Sequence, residues 1–269
     1  MKSSNQHILE YLIINKDYRD TKVAEPKSFD ELRKIIDYRY NKLGPGTEQN
    51  PIDFNDIDVS NIDSFCNKGI LHKGIFEETK FKYIDISGWD VSNVNDMDRM
   101  FLNCRELESV GDISKWDVSN VMSMHRMFAN CKKLESVGDI SNWDVSNVTN
   151  MTSMFCNFVN FNQDLSKWDV SNVTDMRFMF DSCENFNQNL SNWDLSKVTN
   201  MKYMFCGCKS FNQDLSSWDV SNVTNMQNMF DGCESFNKDL SKWDVSNVTN
   251  KLGIFYRCGI KSKYKPKFK

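Results

Sequence analysis

The chain has 269 residues, of which 40% are hydrophobic and 26% are charged, and its formal net charge is −4. This composition is typical of a soluble, folded protein, and the weakly negative charge gives no overall attraction to nucleic acid. No apolar run approaches the roughly 20 residues that span a bilayer, and we find no secretory signal at the N-terminus. We therefore expect an intracellular, cytoplasmic chain without a transmembrane segment or a nucleic-acid partner.

The N-terminal part of the chain predicts helices. The segment 28–43, "SFDELRKIIDYRYNKL", begins with a capping box formed by Ser28 and Glu31 and ends at Gly44. Residues 6–16 predict another short helix. The apolar residues of the longer helix recur at helical spacing. They are Leu32, Ile35, Ile36, Tyr40 and Leu43.

A motif of about 25 residues then repeats along the chain. It reads D-L-S-x-W-D-V-S-N-V-T-N-M-x-x-M-F-x-x-C-x-x-F-N-Q, and it contains all seven tryptophans, at spacings of 27, 27, 25, 25, 25 and 25. The tryptophans are Trp89, Trp116, Trp143, Trp168, Trp193, Trp218 and Trp243. A fixed period of this length is typical of solenoids, whose units bury their apolar faces only against their neighbours. The tryptophan therefore recurs because each layer packs on the next.

Two apolar patterns alternate within each unit. In "SNVTNMTSMFCNF" (146–158), the apolar residues fall at i, i+3, i+6, i+7 and i+10, which predicts a helix of about three turns. "DLSKWDV" (164–170) predicts a short extended segment. We expect an α/β fold: a leucine-rich-repeat-like solenoid of about seven to eight units, each with a short parallel strand plus one helix.

This interpretation divides the chain into three parts. Residues 1–50 form a helical N-terminal cap, residues 51–258 form the repeat solenoid, and residues 259–269 form a basic C-terminal tail. The last nine residues, "KSKYKPKFK", include five lysines, and we expect them to be a solvated extension. In the last unit, Lys251 and Ile254 replace the two recurring methionines, which suggests that no further repeat covers that face.

The repeat resembles that of the BspA-like leucine-rich-repeat surface proteins, also called the mycoplasma lipoprotein type repeat family, whose function is unknown. The resemblance rests on "WDVSNVTNM..MF..C..FNQDLS.W" and covers about residues 53–258. Many members are surface proteins or suspected adhesins, so the resemblance implies an interaction solenoid rather than an enzyme. The sequence lacks the signal peptide, lipobox and cell-wall anchor of the surface members.

A column of aspartates recurs along the repeat, and stacked carboxylates are candidate calcium ligands. It consists of Asp58, Asp90, Asp117, Asp144, Asp169, Asp194, Asp219 and Asp244. Calcium-binding repeats use glycine-rich loops, whereas "WDVSN" contains no glycine, so we interpret each carboxylate as an acceptor for backbone amides in a turn. We expect no metal and no cofactor, with calcium left as the alternative.

The recurring cysteines and asparagines have structural interpretations. The cysteine column contains Cys104, Cys131, Cys183, Cys208, Cys233 and Cys258, with Phe158 in one place. Because phenylalanine replaces cysteine in one unit, we expect these cysteines to act as small buried apolar residues. The odd total of nine cysteines favours reduced thiols. The asparagines are expected to satisfy backbone groups at a turn. They are Asn93, Asn120, Asn147, Asn172, Asn222 and Asn247.

No arrangement of residues predicts catalysis. The histidines His7, His72 and His125 share no position in the unit, and no phosphate loop or nucleophile motif occurs. The two positions between the paired methionines vary from unit to unit, and such positions carry binding in repeat proteins. Our candidates for partner contact there are aromatic and basic. They are Arg99, Arg126, Arg177, Phe178, Lys202 and Tyr203.

The sequence thus predicts a noncatalytic scaffold that binds a protein partner through an exposed face of the solenoid. The alternative is a surface or virion protein with a structural or adhesive role. End-to-end self-association through an incompletely capped terminus stays open, and the sequence does not name the partner.

Overall fold

The computed structural model describes residues 24–67, 69 and 72–268. The helix predicted over residues 6–16 lies outside them. Within the described residues there is one α-helix, α1, at Phe29–Leu43. Two short strands pair in parallel, and two short 3-10 helices complete the regular structure. The strands are β1 (Ile52–Asp53) and β2 (Ile84–Asp85), and the 3-10 helices are Ile140–Asn142 and Ser262–Tyr264.

The predicted cap helix is confirmed. The Ser28 hydroxyl accepts a hydrogen bond from the Glu31 amide at 3.3 Å, and Gly44, at φ 78°, donates its amide to Tyr40. The prediction for Leu43 is wrong, because this side chain is 61% exposed. Arg39 is buried on the inner face instead. Its guanidinium lies 5.1 Å from the centre of the Phe54 ring and pairs with Asp56 at 2.6 Å.

Successive units lie on one another with their backbones in register. Parallel bridges join one position of each unit to the same position of the next. They connect, in order, Ser64, Asp96, Ser123, Asn150, Asp175, Asn200, Asn225 and Asn250. The 25-residue period of the sequence is therefore the spacing of stacked layers.

The prediction of one helix per unit is wrong. In residues 151–158 the chain makes consecutive tight turns, in which Met154 donates to Met151 and Phe158 to Phe155. The alternate amides, such as that of Ser153, donate to the next layer rather than to residue i−4. Ser153 and Asn157 have φ of 58° and 59°, which a right-handed helix excludes. The i, i+3 spacing of apolar residues therefore reflects three-residue turns.

The extended segment predicted at 164–170 is also absent. Trp168 donates its amide to the Leu165 carbonyl at 3.1 Å, which closes a turn. Its indole Nε1 donates to the Ile140 carbonyl in the layer before, at 3.0 Å. Every tryptophan of the motif makes the equivalent indole bond, so this column ties adjacent layers together.

The core is a set of aromatic and methionine columns that run along the stack. One phenylalanine column has ring centroids 5.3–6.1 Å apart from layer to layer. Its members are Phe76, Phe101, Phe128, Phe155, Phe180, Phe205, Phe230 and Phe255. Each interior ring lies between the rings of the two neighbouring layers, whereas the two end members have such a ring on one side only.

The C-terminal tail packs against the last layer, contrary to our expectation of a solvated extension. Leu240 donates its amide to the Tyr264 carbonyl at 2.9 Å, and Ile260 and Pro266 are buried. The Phe268 ring packs against the core, with the Lys251 ammonium 5.6 Å from its centre. Apolar side chains between the lysines give the tail this role, which its lysine content obscures.

Candidate partner-binding face

The variable positions between the paired methionines lie on a left-handed backbone. The second position has φ between 52° and 58° in six successive units. These residues are Arg99, Arg126, Ser153, Phe178, Tyr203 and Asn228. This conformation favours glycine and asparagine and is uncommon for bulky side chains. The strain was not predicted, because a helix would place these residues in the right-handed region.

Phe178 and Tyr203 form a stacked aromatic pair on this face. Their ring centroids are 4.9 Å apart and their planes differ by 11°. Both side chains are partly exposed, and the Lys202 ammonium lies 5.4 Å from the Tyr203 ring and 6.0 Å from the Phe178 ring. The structure therefore brings three of the six predicted residues together in a flat aromatic surface with one cation beside it.

The predicted arginines differ in what they can offer a partner. The Arg99 guanidinium pairs with Glu77 at 2.9 Å, and Arg177 pairs with Asp175 at 2.7 Å. Both guanidinium charges are therefore partly neutralised by carboxylates of the same chain. Arg126 is exposed. Between Arg126 and the aromatic pair lies a layer in which Thr152 and Ser153 are each only 7% exposed. The face consequently has a basic part and an aromatic part.

His125 lies within the basic part and is held neutral. Burial, together with the neighbouring charges of Arg126, Arg99 and Arg177, lowers its pKa to about 4. Asp98 is 3.9 Å from its Nδ1 and does not offset these effects. The positive charge of this region therefore comes from the arginines alone at neutral pH.

The aspartate column caps turns, as the sequence indicated. In each unit the carboxylate Oδ1 accepts the amide of the serine two residues later. The side-chain and backbone hydrogen bonds from Ser119 lower the pKa of Asp117, and Asp219 behaves in the same way with Ser221. In residues 24–67, 69 and 72–268, no three His, Cys, Asp or Glu side chains are arranged to hold a metal ion.

A second turn column, which sequence analysis missed, runs parallel to the first. Asp85, Asp112, Asp139, Asp164, Asn189, Asp214 and Asp239 each accept the amide of a serine two residues later. The recurring D-x-S of "DLS" was the available signal.

The cysteine column is reduced, as predicted, and it is buried except for Cys258, which is partly exposed. All nine cysteines are free. The thiol of Cys183 donates to the Phe155 carbonyl at 3.1 Å, and Cys208 and Cys233 make equivalent contacts. Burial raises the pKa of these thiols well above the usual value. They are therefore poor nucleophiles.

The asparagine column forms the predicted ladder, although its bonds run between layers. Asn147 donates its side-chain amide to the Ser119 carbonyl of the preceding layer at 2.7 Å. Beside this ladder lies a shallow depression of about 520 Å³, which sequence analysis did not predict. It is lined by Asn93, Asn95, Asn120, Met122, Asn147 and Thr149. Met122, 54% exposed, is the apolar side chain in this polar surface.

These features define a class of protein built from stacked repeats that are joined by backbone and side-chain ladders. The model of a family described as "Mycoplasma protein of unknown function, DUF285" matches residues 71–193 and 156–265. The two matches overlap and together cover more than half of the sequence. The chain belongs to this family.

The other comparisons add little. No curated protein matches the chain. A solved leucine-rich-repeat protein of Leptospira interrogans is 6% identical, with a TM-score of 0.17, and the alignment covers 70% of this chain and 62% of that one. The chain thus spans less than two thirds of that protein. Within the described residues, no helix has the length and apolar composition that crossing a membrane requires.

Proposed function

We propose that this chain is a noncatalytic scaffold, a leucine-rich-repeat-like solenoid related to the BspA-like proteins, that binds another protein through the face around Phe178 and Tyr203. The observation that carries the proposal is the aromatic pair itself. Large rings occupy a column where the backbone favours asparagine or glycine, and where the following units have Asn228 and Gly253.

The energetics favour a binding role for these rings. A left-handed backbone costs a bulky residue about 1 kcal/mol or more. Stacking of the two rings offsets part of this cost, since such pairs contribute about 0.5–1.5 kcal/mol. Burial does not explain their presence, because the methionine and phenylalanine columns beside them already fill the core. Exposed aromatic residues beside a cation are frequent anchors in protein interfaces.

The test is a double variant, Phe178→Asn/Tyr203→Asn, because asparagine suits the left-handed backbone and already occurs at position 228. We expect the melting temperature to change by only a few degrees, since relief of strain opposes the loss of stacking. Partner capture from extract of the source cell, quantified by mass spectrometry, should lose at least one protein that the wild-type chain retains.

The matched control is Leu252→Ser/Tyr256→Ser, which removes two exposed apolar side chains from the last layer, two layers beyond Tyr203. It should retain the partner that the first variant loses. Equal capture by the wild-type chain and the Phe178→Asn/Tyr203→Asn variant would contradict the proposal. Capture of nothing, together with cleavage of the chain by protease added to intact cells, would favour the surface or adhesive role instead.

A further inference from the structure

The last layer of the stack ends in backbone donors that have no acceptor among the described residues. In the layer before it, the amides of Asn228, Phe230 and Gly232 donate forward to carbonyls of the last layer at 2.9 Å. The residues equivalent to these are one period further on: Gly253, Phe255 and Arg257. Among the described residues, none provides an acceptor for these three amides.

At this edge, backbone amides point out of the stack and backbone carbonyls point into it. The carbonyls of Leu252, Ile254 and Tyr256 accept from the preceding layer, so they point back into the stack while the alternate amides point out of it. An ordinary strand edge exposes donors and acceptors alternately. An edge that exposes only amides carries partial positive charge and attracts carbonyl or carboxylate oxygens, as backbone nests do.

The side chains around the edge have matching chemistry. Leu252 and Tyr256, which alternate with the open amides, are 69% and 59% exposed. They are two of the four exposed large hydrophobic side chains of the described chain. Residues 245–268 contain six Lys or Arg and no Asp or Glu. Apolar anchors, three parallel donors and a positive surround thus occur together.

The opposite end of the stack shows why a second copy of this chain does not fit the edge. There the outward carbonyls of Ile75 and Glu77 accept from the Arg33 guanidinium at 2.9 and 3.4 Å. The acceptor edge is therefore closed by α1, and it leaves no carbonyl row for a neighbouring molecule. The occupant of the donor edge therefore has to bring free backbone carbonyls of its own.

We propose that the last layer binds an acidic segment of a partner protein, whose backbone follows the turns of this edge and adds to the stack as a further layer. Alternate carbonyls of the segment accept from the amides of Gly253, Phe255 and Arg257. Its apolar side chains contact Leu252 and Tyr256, and its carboxylates face the surrounding lysines. As in strand addition to a sheet edge, main-chain bonds would give affinity and side chains would give specificity. The site lies at the end of the stack, two layers beyond Tyr203.

The test uses the full chain and two fluorescein-labelled heptapeptides, one of alternating glutamate and leucine and one of alternating lysine and leucine. Fluorescence anisotropy should show that the acidic peptide binds and that the basic peptide binds at least about tenfold more weakly. Amide hydrogen exchange of the free chain should be fast at residues 253, 255 and 257 and slow at residues 228, 230 and 232. Addition of the acidic peptide should slow the first set.

Two variants assign the binding to this edge. Leu252→Ser/Tyr256→Ser and Arg257→Glu change exposed side chains, so both variants should fold. Each should lower the affinity for the acidic peptide by about tenfold or more. Phe178→Asn/Tyr203→Asn should leave the peptide affinity unchanged, which separates this site from the proposed function. Equal binding of the basic peptide, or unchanged exchange at the three amides when the acidic peptide binds, would overturn the proposal. Slow exchange at these amides in the free chain would overturn it as well.

Discussion

The two ends of the stack are closed by different means. At the N-terminal end, Phe76 is completely buried, and its ring packs edge-on against Phe54 and Phe81 at 5.7 and 6.3 Å. Helix α1 covers this cluster. At the C-terminal end, the equivalent Phe255 is only partly buried, and the Lys265 ammonium lies 5.5 Å from its ring.

The difference shows that the two ends of a repeat array expose different backbone groups, which need different hydrogen-bond partners. In each layer the alternate amides point toward the following layer and the alternate carbonyls toward the preceding one. One end of the stack therefore exposes carbonyls and the other exposes amides. An arginine side chain satisfies the carbonyls through several donors, and Arg33 does so here. Amides need an acceptor instead, and the C-terminal tail contains no Asp or Glu. Residues 259–268 of the tail cover apolar surface, but none of them accepts a hydrogen bond from the amides of the edge.

The largest expected effect compares the end members of one aromatic column. Phe76→Ala should lower the free energy of unfolding by about 3–5 kcal/mol, because it empties a completely buried site. Phe255→Ala should cost only about 1–2 kcal/mol, since the side chain is already partly hydrated. Urea denaturation of both variants measures the difference. Equal losses would mean that the tail closes its end as completely as α1 closes the other.

An intermediate effect is expected for the arginine that caps the carbonyl edge. Arg33→Met should cost about 1–3 kcal/mol, because two carbonyls lose their donor beneath the helix. The ion pair of Arg33 with Asp37 at 2.9 Å contributes little of this, because Asp37 is 53% exposed. Asp37→Asn is therefore the control and should be nearly neutral. A loss in Asp37→Asn as large as in Arg33→Met would assign the effect to the ion pair instead.

The smallest expected effect is a pH dependence of stability, and it should be the same at both ends of the stack. Asp85 and Asp239 cap equivalent turns, and their pKa values are lowered. For Asp239 the hydrogen bonds from Ser241 are the main cause; for Asp85 burial acts in the opposite direction, and hydrogen bonds from Ser87 and Asn55 prevail over it. A lowered pKa in the folded state stabilises the protein above the unfolded pKa of about 3.9, and this stabilisation disappears as the pH falls through the folded value.

Asp85→Asn and Asp239→Asn keep an acceptor oxygen but remove the titration. At pH 7 both should be slightly less stable than the wild-type chain, and the deficit should disappear as the pH falls below about 4. Thermal unfolding between pH 7 and pH 3 measures it. A pH-independent deficit in either variant would show that its carboxylate charge contributes nothing to the turn.

Much of the architecture was predictable because the layers force identical residues into identical environments. The buried columns, the asparagine ladder and the first column of turn aspartates followed from the period, and the capping box gave α1. The helices within the units did not follow, because apolar spacing of i, i+3 fits both a helix and a series of tight turns. At the candidate site, Phe178, Tyr203 and Lys202 lie together, whereas the ion pairs of Arg99 with Glu77 and of Arg177 with Asp175 depend on contacts that the motif does not encode.

The sequence by itself determined the period, the family and most of the side chains that are buried within the repeats, because stacking requires the same apolar residue at the same place in every layer. Only the tertiary structure decided where the backbone amides go. A helix and a layer compete for the same N–H groups, and here the next layer provides the acceptors. That choice places Phe178 and Tyr203 on a left-handed backbone, directs the carbonyls toward Arg33, and leaves the amides of Gly253, Phe255 and Arg257 open at the other end.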